Sequence, residues 1–207
     1  IEVKDQNLYI ECGSLKTQIQ GYNSEEFPLI PEFNRDEYIE VESKKLHQGL
    51  LQIIDIVFLS SVRPEISGIY FSFLKNNIKI VATDSFRLGE KNIILYEPLK
   101  NIKEKEHSFI LPQKSAKEVM NILENNEGMV KIYFSQNQVL FELPMKEVDH
   151  PQIQITSRLI EGEYPNYQDI IPTKFKTNVI LKRDEFLHQI KIASLFSSKI
   201  NDVKISI

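Results

Sequence analysis

The sequence predicts an α+β protein built from short antiparallel strands and a few isolated helices. Three observations lead there. Short alternating runs are joined in pairs by tight polar turns. Three stretches carry apolar residues at three- and four-residue spacing. The chain also resembles itself at an offset of 137 residues.

The elements follow in order. "KDQNLYIE" reads as a hairpin with Gln-Asn at its turn, and "LKTQIQ" is mixed enough in polarity for an exposed edge strand. "YIEVE" is a short strand ahead of "SKKLHQGLLQIIDIVF", where Leu46, Leu50, Ile53, Ile54 and Val57 form one helical stripe. "GIYFSFL" and "NIKIVA" flank Lys75-Asn76 as a hairpin; "VATDSFRLGEKNI" follows as a polar turn leading to another strand. "HSFIL" precedes a second helix, "PQKSAKEVMNILENNEG", with Ala116, Val119, Met120 and Leu123 on its apolar side. Pro112 suits its first turn, and Gly128 closes the loop after it. "MVKIYF" and "QVLFEL" form a hairpin around Ser135-Gln136-Asn137, and "IQITSRLI" adds a strand. "NVIL" reads as a strand before the third helix, "KRDEFLHQIKIASLF", which places Phe186, Leu187, Ile190 and Leu195 on one side and Asp184 as a cap. The terminal "DVKISI" alternates like a strand cut short, and the absence of an initial methionine suggests a mature or truncated chain.

Repetition sets the domain plan. "SEEFPLIPEF" resembles "EGEYPNYQDIIP"; Phe27 and Tyr164 stand 137 positions apart, as do Ser60-Ser61 and Ser197-Ser198 behind their helices. Ahead of the two aromatic-proline motifs, "KDQNLYIE" matches "FSQNQVLFE". A period of that size is a duplicated domain, so the chain reads as 1–35, the tail of one unit; 36–172, a whole unit; and 173–207, the head of a third.

Composition limits the function. A hydrophobic share of 42% and a charged share of 26% in 207 residues fit a globular chain. At that length roughly 70% of the unfolded surface is removed on folding. No apolar run approaches the ~18 residues of a membrane span. The single Cys12 excludes an internal disulfide and a multi-cysteine metal site, and is compatible with a reducing cytoplasm. A net charge of −4 argues against a chain basic all over but permits a local basic face. The seven glycines form no phosphate loop, and His47, His107, His150 and His188 show no metal-ligand spacing. His47 and His188 read as solvated helix residues, and Asp149-His150 as a loop pair with no serine partner. An enzyme would have to rest on Asp84, Ser85 and Arg87 alone. The expectation is no enzyme, no cofactor and no metal.

"VATDSFRL" after a hairpin resembles the "ATD-x-x-R-L" signature of the bacterial sliding clamps, the beta subunit of DNA polymerase III. "RPEISGIYFSF", "HSFILPQKSAKEVMNIL" and "SRLIEGEYPNYQDIIP" are similar to further segments of that family in the same order. The resemblance covers nearly the whole chain. It implies a clamp fold of repeated domains, antiparallel sheets outside and helices lining a ring, with double-stranded DNA inside and no sequence readout. Inward lysines would supply attraction to phosphates without fixing a register: Lys114, Lys117, Lys45 and Lys191. It implies a homodimer in the full-length form, mapped to Thr17 and Ile19 on one side and Leu195 and Phe196 on the other. It also implies an outer pocket for linear peptides of the DNA polymerase III alpha subunit, the clamp loader and repair proteins. By position that pocket uses Arg63, Ile66, Thr83, Phe86, Arg87, Leu88, Pro165 and Ile170, while Asp84 fixes the turn. Two positions depart from the pattern. Many clamps carry Gly-His where this chain has Ser85-Phe86, and often arginine where it has Asp169. The family residues that complete the pocket lie outside this chain. The alternative reading is a diverged clamp-like peptide-binding scaffold without a DNA role.

Overall fold

Backbone hydrogen bonding sorts eleven described strands into three antiparallel sheets. The computed structural model describes residues 1–27, 32–35, 37–58, 60, 62–95, 107–144, 151–197 and 203–206. Ser61, Ser198 and the Asp149-His150 pair fall outside them. The chain divides into two compact units, 1–165 and 166–207.

The first sheet orders β1 (Glu2–Lys4), β2 (Asn7–Cys12) and β3 (Leu15–Gln20) side by side. Asp5 and Gln6 both take positive φ, 49° and 64°, the backbone that a two-residue hairpin turn requires. β3 is exposed along its whole length, as its mixed polarity predicts.

Next come β4 (Ile39–Glu42), α1 (Ser43–Ile53), β5 (Gly68–Leu74), β6 (Asn77–Thr83), β7 (Leu88–Ile94) and β8 (His107–Pro112). They are followed by α2 (Gln113–Leu123), β9 (Met129–Phe134), β10 (Gln138–Pro144) and β11 (Pro151–Arg158). The second sheet runs β11-β10-β9-β4 and the third β7-β6-β5-β8. Their inner faces meet the apolar stripes of α1 and α2 in one core. β10 contributes Val139, Phe141 and Leu143 to it; β5 contributes Ile69, Phe71 and Phe73. Phe71, Phe73, Phe109 and Phe134 stack across the two sheets with ring centroids 5.1–6.1 Å apart.

Two features fix the helix pair. A Cβ at Gly49 would stand 2.9 Å from Ile93 Cδ1, so the missing side chain lets α1 lie close on the third sheet. Gln113 Nε2 donates to the carbonyls of Ile54 and Val57 at 3.0 and 3.4 Å, satisfying groups left open where α1 ends.

The structure corrects several sequence expectations. α1 stops at Ile53, and residues 54–56 tighten into a 3-10 turn. Pro112 precedes α2 as its cap residue, where its missing N–H costs nothing. In the second unit, α3 (Arg183–Ser194) is capped by Lys182, and Asp184 lies inside the first turn paired with Arg183. "NVIL" forms no strand and residues 203–206 are irregular, because an alternating run becomes a strand only where a ladder partner meets it. The α3 stripe is not buried: Leu187 and Leu195 are exposed, and Phe186 and Ile190 half-buried. Gly128 does close the loop after α2, with φ 139° and its carbonyl accepting from Ser43 N at 2.8 Å.

Candidate functional site

The stretch from Thr83 to Leu88 is a tight turn closing the β6–β7 hairpin, with Thr83 opposite Leu88 in register. Asp84 organises it. One carboxylate oxygen accepts from the amides of Phe86 (2.9 Å) and Arg87 (2.6 Å); the other accepts from the Arg87 guanidinium at 2.9 Å. Thr83 Oγ1 accepts from Ser85 N and donates to the Arg87 carbonyl. Burial pushes the Asp84 carboxyl up. The Arg87 and Phe86 amides, followed by the guanidinium, outweigh it and hold the pKa below 3.8. With both oxygens engaged by its own turn, Asp84 is a structural anchor, which is the turn-fixing role its sequence position predicts. Ser85 adopts φ 73°, left-handed for a residue with a Cβ, and this throws Phe86 outward to 97% exposure.

A second loop reaches the same end of the third sheet, because β5 begins beside the end of β6. Ser60 and Ser67 close it reciprocally: Ser60 N donates to Ser67 Oγ at 2.8 Å, and Ser67 Oγ donates back to the Ser60 carbonyl at 3.0 Å. Within it Arg63 pairs with Glu65 at 3.1 Å and keeps its guanidinium half exposed, while Ile66 is buried beneath the loop. The Glu65 carboxyl is held low by a backbone hydrogen bond and by Arg63.

The third piece is the segment leaving β11. Ile160 N donates to the Ile110 carbonyl at 2.9 Å, joining it to the edge of β8. Tyr164 then stacks on Tyr70 of β5 at 4.8 Å and 16°. Its hydroxyl is buried, which raises its pKa. Gly162 runs 3.7 Å from Glu65, counted from the place its Cβ would take, and Pro165 follows Tyr164. Arg63, Ile66, Thr83, Phe86, Arg87, Leu88 and the segment carrying Pro165 therefore gather at one end of one sheet. Ile170 belongs to the second unit, where it is exposed.

The remaining candidates sit elsewhere. Lys114 and Lys117 are exposed on α2, opposite buried Ala116, Val119 and Leu123. On α1 it is Lys44 that faces solvent; Lys45 is partly buried with its ammonium 3.3 Å from Glu42. Lys44 was missed in the sequence, although at about 100° per residue it stands opposite Leu46 and Lys45 to one side. Lys191 is exposed in the last turn of α3. Thr17 and Ile19 lie on open-edged β3, and Leu195 and Phe196 are exposed just after α3. Among the described residues no group of His, Cys, Asp and Glu is arranged to hold a metal, and no helix is long and apolar enough to cross a membrane.

Two sheets closed over a helix pair, with tight hairpins joining their strands, define a clamp-type domain, and comparison with known proteins agrees. The family model described as the central domain of the DNA polymerase III beta subunit matches residues 40–166. The beta sliding clamp of Bacillus subtilis is 29% identical over 211 residues, covering 100% of this chain and 53% of that protein. That of Staphylococcus aureus is 29% identical over 188 residues, covering 91% and 47%. The crystal structure of the DNA polymerase sliding clamp from Bacillus subtilis superposes with a TM-score of 0.83 at 28% identity, over 96% of this chain and 50% of that one. The Helicobacter pylori beta clamp bound to a DNA ligase peptide superposes at 0.80 with 25% identity, over 95% and 52%. The chain belongs to the bacterial sliding-clamp family, the beta subunit of DNA polymerase III. It spans about half the length of the curated relatives it matches.

Proposed function

We propose that the protein carrying this chain is a DNA sliding clamp, a non-enzymatic processivity factor working in the cytoplasm without a cofactor. In this reading residues 1–35 end a first clamp domain, 36–172 form the central one and 173–207 begin a third. The full protein closes as a homodimeric ring around duplex DNA, with the β3 edge (Thr17, Ile19) and the end of α3 (Leu195, Phe196) at the subunit contact. Lys114, Lys117 and Lys44 attract phosphates, with Lys191 and, bound to Glu42, Lys45 in lesser parts. The end of the third sheet takes linear peptides of the polymerase alpha subunit, the clamp loader and other partners. Apolar Leu88 and Pro165 beside the Arg63 and Arg87 guanidiniums suit an aromatic-leucine anchor. The observation that carries the reading is the match of the central-domain family to residues 40–166.

The test uses the full-length parent loaded on nicked circular DNA. Retention that is lost when the circle is linearised, with no dependence on base sequence, is the expected result. Lys114→Glu with Lys117→Glu should weaken loading and reduce the salt slope by roughly 0.9 for each phosphate contact removed. A protein that leaves circles and linear DNA equally fast is not a topological clamp.

A further inference from the structure

The outer face of the second sheet carries a buried charge that the clamp reading does not use. β10 turns Val139, Phe141 and Leu143 to the core, so Leu140 and Glu142 point to the other side. Glu142 is nevertheless only 5% exposed. Directly across the ladders from it stand Lys131 of β9 and Gln154 of β11, and Glu40 of β4 lies opposite Lys131 in the same row.

Three groups converge on its carboxylate. The Tyr133 hydroxyl donates to Oε1 at 3.2 Å, and Gln154 Nε2 donates to Oε2 at 3.2 Å. Both are neutral and come from the sheet itself. The cation arrives from elsewhere in sequence: Arg35 Nη1, on the segment that leads into β4, lies 3.4 Å from Oε2. Lys131, across the ladder from Glu142, holds its ammonium 4.9 Å above the ring of Tyr38. Tyr38 in turn leans on Tyr133 with centroids 5.5 Å apart. Among the contacts that fasten the segment before β4 are an ion pair at Arg35 and a ring sandwiched between Lys131 and Tyr133.

A buried carboxylate held only by neutral donors keeps an uncompensated charge, and removing one partner of such a pair costs far more than replacing both. We propose that Arg35 and Glu142 form an electrostatic clasp that seats the chain segment entering the central domain on the outer face of the second sheet. Glu142 is the fixed half, set in the sheet by Tyr133 and Gln154. Arg35 is the movable half. The pair makes the path of the connection depend on charge, and the inference stands on this geometry whether or not the parent protein encircles DNA.

Hydrogen exchange of the 207-residue chain, followed by mass spectrometry, tests it. In Arg35→Gln, peptides spanning residues 32–42 should exchange at least tenfold faster while β5–β6 peptides stay within twofold of wild type. Arg35→Lys should restore most of the protection, since the charge is kept. Adding Glu142→Gln to Arg35→Gln should slow global unfolding relative to Arg35→Gln alone, because the stranded charge is gone. Unchanged exchange in 32–42, failure of lysine to rescue, or strictly additive single and double substitutions would each overturn the clasp.

Discussion

The second and third sheets solve one problem in two ways. Each packs its inner face on the same core, and each has its outer face partly covered by a chain segment bearing a tyrosine. On the second sheet Tyr38 meets Tyr133 at a 46° tilt, flanked by Lys131 and by the Arg35–Glu142 pair. On the third, Tyr164 lies almost flat on Tyr70, and the segment is tied by the Ile160–Ile110 backbone bond. The first cover is held by charge and the second by contact area. Dispersion and burial are indifferent to salt and to ordinary pH, whereas an ion pair answers to both. Two segments of similar appearance therefore respond to different conditions.

The widest separation between them should appear on truncating the two tyrosines. Tyr164→Ala is expected to lower the unfolding free energy by about 2 kcal/mol, through lost burial and stacking. Tyr38→Ala should cost about 1 kcal/mol, the worth of an aromatic contact. Urea melts at 0.1 and 1 M NaCl check this. The Tyr164→Ala loss should be the same at both, and the Tyr38→Ala loss should change as screening tightens from about 10 to 3 Å. Equal salt sensitivity of the two would erase the contrast.

Alkaline titration sharpens it next. Burial, and then the Glu142 charge and its hydrogen bond, push the Tyr133 hydroxyl up to about 12 from 10.0. The protonated form is the one the fold favours, so its stabilisation is complete below pH 10 and disappears as pH rises through about 12. The stability difference between wild type and Tyr133→Phe should shrink across that window. A constant difference from pH 9 to 12 would show that the Tyr133 hydroxyl is not bound to Glu142.

The smallest effect belongs to the ion pair in the end turn of the third sheet, between Asp84 and Arg87. Asp84 has a depressed pKa, so its contribution is present above pH 3.8 and is lost as pH falls through the lower folded value. Asp84→Asn should cost about 1 kcal/mol at pH 7 and flatten this acid limb. Exchange at the Phe86 and Arg87 amides should rise with it; unaltered exchange there would remove Asp84 as the turn's anchor.

What could be read from the sequence follows the range of the forces involved. The β5–β6 and β9–β10 hairpins were legible because alternation and turn residues lie within a dozen positions of each other. Both strands of 68–74 and 129–134 begin and end where the pattern does. The apolar stripes of α1 and α2 were legible for the same reason, and so was Asp84 as a turn former. "NVIL" misled because alternation expresses a preference that only a neighbouring strand can realise. Glu142 was invisible: in "QVLFEL" it occupies the solvent position of an alternating strand, and its burial depends on Arg35, Tyr133 and Gln154, drawn from three other stretches. Lys45 came from the resemblance, where the helical wheel favours Lys44. The pocket residues came from resemblance; periodicity alone gave no reason to bring Arg63, Leu88 and Pro165 to one end of a sheet.

Gln113 opens α2 and grips the last carbonyls beyond α1, so the end of one helix is riveted to the beginning of the other. A joint with two hydrogen bonds on one planar group resists both sliding and twisting. Lys44 near the start of α1 and Lys114 at the start of α2 are therefore carried on two helices pinned to each other at one junction.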